Sequence, residues 1–274
     1  MDSRKIIVPV DFTPASEQAI KQAILIARKA GYSIWLAHVM EKEISDKNLP
    51  RLSTYEDTLE TLAMNVRDEG VNCRFSVITG SIFDELPAFA NNGEFSMMVI
   101  GTHGIKGIKQ KLLGADILKI ARKTTIPCLI VQEDCICRNF RPIVLPVGGH
   151  EGFTQLIEAT AAIAELFSTE VHIFAIIRKG EQEFARIKEN TLLAEKIFAE
   201  RKVTCRRVKE ESNVVSVGYA RQTLQYANMV DAGLVAIMSV KSEEHYYFAQ
   251  ADKETMINNE FNIPVLCVNG LVKY

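Results

Sequence analysis

Residues 97–121 read MMVIGTHGIKGIKQKLLGADILKIA. The stretch opens on an apolar run, Met97 to Ile100, and breaks into glycines at Gly101, Gly104, Gly107 and Gly114. After Gly114 the apolar residues Ile117, Leu118, Ile120 and Ala121 recur at helical spacing. The order is therefore strand, glycine loop, helix start. Glycine permits positive φ and lets another group approach the backbone closely. The unpaired N–H groups of a helix start attract phosphate. The stretch reads as a phosphate-binding turn.

Outward from it, the same alternation recurs. Residues 5–10 (KIIVPV) are a short β-branched run, read as a buried parallel strand. Thr13 then stands as a helix N-cap with Pro14 at the first helical position, and Gly31 ends the helix. Strands are expected at 33–39, 73–78, 95–100 and 126–131. Helices are expected at 54–69, at 81–91 with Pro87 inside, and after Gly114. Residues 41–52 read as a polar loop. Strands alternating with helices give a mostly parallel sheet covered on both faces. In such sheets ligands sit at the strand C-terminal ends, where the strand order reverses. Asp11, Val39 and Gly101 all stand at strand ends.

The pattern then repeats. Pro9 and Pro146 lie 137 positions apart, and so do Pro127 and Pro264. Residues 35–39 (WLAHV) fall opposite 172–176 (HIFAI) at the same offset. One offset at three landmarks implies tandem duplication. Two domains are expected, residues 1–134 and 141–274, with the boundary at 134–140. The second copy keeps the strands and drops the site chemistry: Gly148 replaces Asp11, Met238 replaces Gly101, Lys241 replaces Gly104 and Ala251 replaces Gly114. The first half is thus expected to hold the ligand, the second to be degenerate.

Composition excludes several classes. The chain has 274 residues, enough for two domains, with 47% hydrophobic and 24% charged residues. A formal net charge of -2 offers no basic surface for nucleic acid. No apolar run reaches the length of a membrane span, and the N-terminal apolar segment is too short for a secretion signal. The expectation is a cytoplasmic protein with reduced thiols. Of its six cysteines, Cys128 and Cys267 sit in apolar runs and read as core. Cys135 and Cys137 form either a metal or redox pair or two incidental linker thiols, and no second pair stands at zinc spacing.

These motifs resemble the universal stress protein family in its tandem form. Gly101, Gly104 and Gly114 match its Gly-x2-Gly-x9-Gly signature, with Ala115 where that family has Ser or Thr. The strand-Pro-Val-Asp start at 8–11 and residues 37–39 (AHV) resemble it too. The resemblance implies a nucleotide alpha-hydrolase-like α/β fold: two tandem, open, mostly parallel sheets of about five strands with helices on both faces. It implies adenine-nucleotide binding (ATP or AMP, with or without Mg²⁺) in a stress-response regulator. Pro9, Val10, Asp11 and the backbone of Val39 would hold the adenosine, and Ile100 and Gly101 would line the ribose. His103, Gly104, Gly114, Ala115 and Asp116 would face the phosphates. It further implies that the last strand of each half joins the two as an intramolecular pseudo-dimer.

Other readings stand beside these. Asp11 serves equally as a helix cap. His38 reads as a core or rim histidine. Lys106, Lys109 and Lys111 either offset Asp116 or form a solvated face. Without Ser or Thr at position 115, one hydrogen bond worth about 0.5–1.5 kcal/mol is lost. The two other function classes are a nucleotide-free scaffold for a protein partner and a weak ATPase. No nucleophile–base motif or catalytic lysine loop supports the last.

Overall fold

In a computed structural model, residues 4–40, 52–102, 114–136, 139–178, 185–212, 219–240 and 250–272 are described. The first half runs β1 (Lys5–Pro9), α1 (Pro14–Ala30), β2 (Ser33–Met40), α2 (Leu52–Asp68), β3 (Cys73–Thr79), α3 (Ile82–Asn92), β4 (Phe95–Thr102), α4 (Gly114–Lys123) and β5 (Cys128–Gln132). The second half repeats it as β6 (Ile143–Pro146), α5 (Phe153–Phe167), β7 (Val171–Arg178), α6 (Ala185–Glu200), β8 (Cys205–Ser212), α7 (Tyr219–Met229), β9 (Leu234–Met238), α8 (Gln250–Ile257) and β10 (Val265–Val268). The expected loops at 41–52 and 103–113 fall almost wholly outside the described residues.

The two expected sheets are one. Strand order is β3-β2-β1-β4-β5-β10-β9-β6-β7-β8, and the second half mirrors the first. Within each half the neighbours are parallel. The single antiparallel junction among the described strands is β5 with β10: Ile130 faces Val265, Leu129 faces Leu266 and Cys128 faces Cys267. Leu129 and Leu266 are equivalent in the repeat, so a pseudo-twofold axis passes through that pair. Each edge strand satisfies the other's unpaired backbone groups, which would otherwise be open to a second chain.

Local chemistry explains the elements. β1, β5, β6, β9 and β10 are apolar and buried throughout or nearly so, as strands covered on both faces must be. Thr13 caps α1 by accepting from the Ser16 N–H, Pro14 opens the helix, and Gly31 ends it in the left-handed region at φ 70°. Ser81 caps α3, which carries the buried Pro87 at the cost of one intrahelical bond. Right-handed crossovers put α1, α2, α5 and α6 on one face and α3, α4, α7 and α8 on the other. α1 meets α5 and α4 meets α8 across the seam.

Two equivalent side chains bind the halves reciprocally. Asn269, just past β10, donates to the Ala121 and Thr124 carbonyls at the end of α4 (2.7 and 2.8 Å). Its counterpart Gln132, at the end of β5, donates to the Asn259 carbonyl beyond α8 (2.8 Å). Arg122 of α4 also donates to the Ser239 carbonyl after β9 (3.0 Å). Helix-end carbonyls that lack intrahelical partners are thus satisfied from the opposite half.

Candidate functional site

The order of the first half reverses between β1 and β4: α1 leads outward to β2, and α3 returns the chain to β4. The crevice at such a reversal is where ligands enter open α/β sheets. Pro9 and Val10 are buried at the end of β1, Val39 is half-buried near the end of β2, and Ile100 is buried in β4 with Gly101 beside it. These residues occupy the C-terminal ends of three adjacent strands.

Asp11 is exposed at this rim. Its Oδ1 accepts from the Thr13 hydroxyl (2.5 Å) and the Thr13 N–H (3.2 Å). Thr13 in turn caps α1. Asp11 is therefore not the cap itself. It orients the cap and adds a negative charge at the positive end of the helix dipole. Only one carboxylate oxygen is engaged in these two bonds.

Phe12 sits between Asp11 and Thr13 with φ 62°. A bulky residue in the left-handed region is a genuine outlier and costs about 1–3 kcal/mol. The turn aims its ring at His38 (centroids 4.8 Å apart) and at Tyr55 of α2 (5.9 Å). His38 stacks on Tyr55 at 4.6 Å and 25°. His38 Nδ1 lies 2.7 Å from the Val10 carbonyl. His38 is thus a rim histidine, as its place in a strand implies, and part of a three-ring wall beside Asp11. Phe12 and Tyr55 carry no sequence signal: a positive φ at Phe12 has no motif, and Tyr55 opens a helix distant in the chain.

Gly101 has a reason independent of any ligand. A Cβ there would stand 2.2 Å from the Ala15 carbonyl oxygen and 2.8 Å from the Ser16 nitrogen. The glycine lets the first turn of α1 close over the end of β4, next to the crevice. Gly114 is buried at the start of α4, and its Cβ would meet Asn258 of the second half at 2.6 Å. Ala115 and Asp116 follow, half-buried, and Asp116 pairs with Lys119 at 2.8 Å. His103, Gly104 and the lysines at 106, 109 and 111 lie outside the described residues. The residues expected to hold adenosine and ribose are gathered at one rim, while Gly114 meets the opposite half of the molecule.

The corresponding crevice of the second half, between β6 and β9, is filled from within. Gly148, Gly149, Ala175 and Leu192 stand where Asp11, Phe12, His38 and Tyr55 stand in the first half. His150, equivalent to Thr13, is buried, and Lys253, equivalent to Asp116, is fully buried. Lys253 donates its Nζ to the Val240 carbonyl. Burial and the Lys253 charge push the His150 pKa down to about 3. Asn190 holds the β6 turn by donating to the Gly148 (2.8 Å) and His150 (3.2 Å) carbonyls. Met238 replaces Gly101, and α5 begins two repeat positions later than α1, with Gly152 at φ 64° where Ala15 would be. Met238 is buried there.

Among the described residues no cluster of His, Cys, Asp and Glu could hold a metal ion, and no helix is long and apolar enough to cross a membrane. The five described cysteines are free thiols, and Cys137 lies outside the described residues. A groove of about 610 Å³ between α7 and α8 in the second half is lined by Arg221, Leu224, Asn258 and Phe261 among others, and its Asn258 is the residue that Gly114 meets.

Comparison with known proteins agrees with this architecture. The model of the universal stress protein family matches residues 3–132. Universal stress protein MJ0531 of Methanocaldococcus jannaschii is 23% identical over 141 residues, spanning 47% of this chain and 82% of that protein. Universal stress protein YxiE of Bacillus subtilis is 23% identical over 145 residues, spanning 47% of this chain and 98% of that protein. A universal stress protein structure from Archaeoglobus fulgidus superposes with a TM-score of 0.74 at 14% identity, covering 98% of this chain and all of that one (100%). A second, a putative universal stress protein of Pseudomonas aeruginosa, gives a TM-score of 0.63 at 16% identity, covering 97% of this chain and 93% of that one. At such identities the structural likeness concerns the fold alone. On these findings residues 3–132 are similar to the universal stress protein family, and the two repeats give the fold of its solved structures in tandem.

Proposed function

We propose that the first half binds one adenine nucleotide, ATP or AMP, at the β1/β4 crevice, and that the protein acts as a stress-response regulator whose ligand favours one conformation. One observation carries the reading: the two repeats share a scaffold, yet differ at the rim in every polar and aromatic group. The first keeps Asp11, Phe12, His38 and Tyr55; the second has Gly148, Gly149, Ala175 and Leu192 there and buries Lys253 and His150 in the crevice. An exposed carboxylate accepts from ribose hydroxyls. A wall of aromatic rings suits a planar base, and such stacking contributes about 1–3 kcal/mol per base. The start of α4, where a helix leaves N–H groups without intrahelical partners, suits phosphate.

The test is calorimetry of the full chain with ATP, ADP and AMP in the presence of Mg²⁺, repeated on Asp11→Asn. The expected result is one site per chain, weakened in the variant. Asparagine keeps an oxygen for Thr13, so the fold is retained and the loss is one of ligand contact. Two sites per chain would overturn the one-live-half model. No binding at millimolar nucleotide would overturn the reading altogether. It would favour the scaffold alternative, which has its own support in the seating of Gly114 against Asn258.

A further inference from the structure

The seam between the halves holds a pair of thiols. Cys128 of β5 and Cys267 of β10 are directly opposed in the antiparallel register. Both are buried and reduced, at 0% and 1% exposure. Opposed residues of an antiparallel pair point to the same face, with Cα atoms about 4.5–5.5 Å apart. A disulfide spans Cα separations of about 4.4–6.8 Å. The pair therefore meets the distance requirement without moving the strands apart or together.

The repeat makes this juxtaposition more than a legacy of duplication. Cys128 is equivalent to Val265, and Cys267 is equivalent to Ile130. Val265 and Ile130 face each other on the other side of the Leu129–Leu266 axis pair. The seam thus has two equivalent slots. One holds the aliphatic pair that suits a core strand. The other holds cysteine at both positions, which are different positions of the repeating unit. Duplication of one ancestral cysteine would have put the copies at equivalent positions, and equivalent positions off the axis do not face each other. No other two described cysteines are paired in the sheet register.

We infer that Cys128 and Cys267 are an oxidation site, a cross-strand dithiol that a peroxide converts to a disulfide joining the two halves covalently. The Cys128 thiolate attacks one peroxide oxygen; the O–O bond breaks, leaving a sulfenic acid and hydroxide, which takes up a proton as water. The Cys267 sulfur then attacks the sulfenic sulfur; the S–S bond forms, the S–O bond breaks and a second water leaves. Two thiols and one peroxide give one disulfide and two waters. The Thr124 hydroxyl, 3.3 Å from the Cys128 sulfur, can donate to the thiolate in the first step. Burial holds the Cys128 pKa up at about 12 and raises that of Cys267 as well. The step is therefore slow in the closed state and proceeds as the seam opens, so it reports sustained oxidant exposure rather than a brief pulse.

The experiment treats the full chain with hydrogen peroxide, with and without urea below the unfolding midpoint. It then denatures the chain in excess alkylating reagent and maps thiols by mass spectrometry without reduction. The expected product is a monomer with a peptide pair linked through Cys128 and Cys267, formed faster in urea, with a raised urea midpoint that thiol reductant reverses. Cys128→Val and Cys267→Ile, the residues the repeat itself uses in those slots, should fold and lose both the link and the midpoint shift. Full alkylation of Cys128 and Cys267 after oxidation in urea would overturn the inference, as would a link through any other cysteine or conversion of either to sulfinic acid.

Discussion

Gly101 has no room for a methyl group, because the Ala15 carbonyl already lies where a Cβ would go. Gly101→Ala must push the first turn of α1 away from β4, a backbone shift that costs about 1–3 kcal/mol or somewhat more. The variant is expected to lose that much stability by urea unfolding and to weaken nucleotide binding in parallel, since the displaced turn carries Thr13 and with it the seat of Asp11. The second half has Met238 in place of the glycine, and its helix starts two repeat positions later. A second residue-scale effect concerns His150. Its folded pKa is about 3, below the unfolded value of about 6.5, because burial and the neighbouring Lys253 oppose its charge. The unfolded chain therefore binds a proton that the folded chain refuses. Stability is full above about pH 6.5 and falls as pH drops toward 3, by up to about 1.4 kcal/mol per unit. His172, whose pKa burial and the Arg206 charge lower against the opposing pull of Glu170, acts in the same sense. Urea midpoints at about pH 7 and about pH 5 should converge in His150→Gln relative to the parent. An unchanged difference would mean that His150 is charged in the folded chain.

At the scale of the element, the helix ends at the seam carry the prediction. Asn269 makes two buried hydrogen bonds to α4 and receives a third from the Leu271 N–H (2.7 Å). Asn269→Ala orphans the Thr124 carbonyl, leaves that of Ala121 only the Thr124 hydroxyl (3.2 Å), and is expected to cost about 1–3 kcal/mol, read as a lowered urea midpoint with native far-ultraviolet circular dichroism. Such contacts mark the limit of what local sequence shows. The cap at Thr13, the stop at Gly31 and the strand at 5–9 were legible because each is decided within a few residues. The glycine spacing was legible as a loop but not in its causes: Gly101 answers to Ala15, 86 positions away in the chain, and Gly114 answers to Asn258 across the seam. Both meetings are products of tertiary packing, which spacing cannot encode. The aromatic wall is the same case, for His38 lies in a recognisable strand while its partners Phe12 and Tyr55 come from a strained turn and a separate helix.

For the whole molecule the repeat offset was the most informative feature in the sequence. It foretold two copies of one topology, but sequence periodicity gives no register between copies, and the fusion of two sheets into one is a property of the β5–β10 pairing. That pairing leads to a test of the seam itself. Because Leu129 and Leu266 are equivalent and lie on the pseudo-twofold, β5 is self-complementary in the same register: a second β5 in place of β10 would again set Leu129 against Leu129 and Cys128 against Ile130. Residues 1–134 expressed alone would leave β5 as an open, wholly buried-type edge, with α4 lacking its cap from Asn269 and with Gln132 lacking its acceptor. An edge of that kind pairs with another chain rather than remaining in water. In the homodimer Gln132 of each copy would reach the α4 end of the other, as it now reaches beyond α8. Residues 1–134 are therefore expected to run as a dimer in light scattering, and Leu129→Lys, which places a charge on the axis against its own copy, is expected to yield monomer or unfolded chain. A stable monomer of the unsubstituted half would mean that the edge is satisfied by its own half, and that the seam contributes little to holding the molecule together.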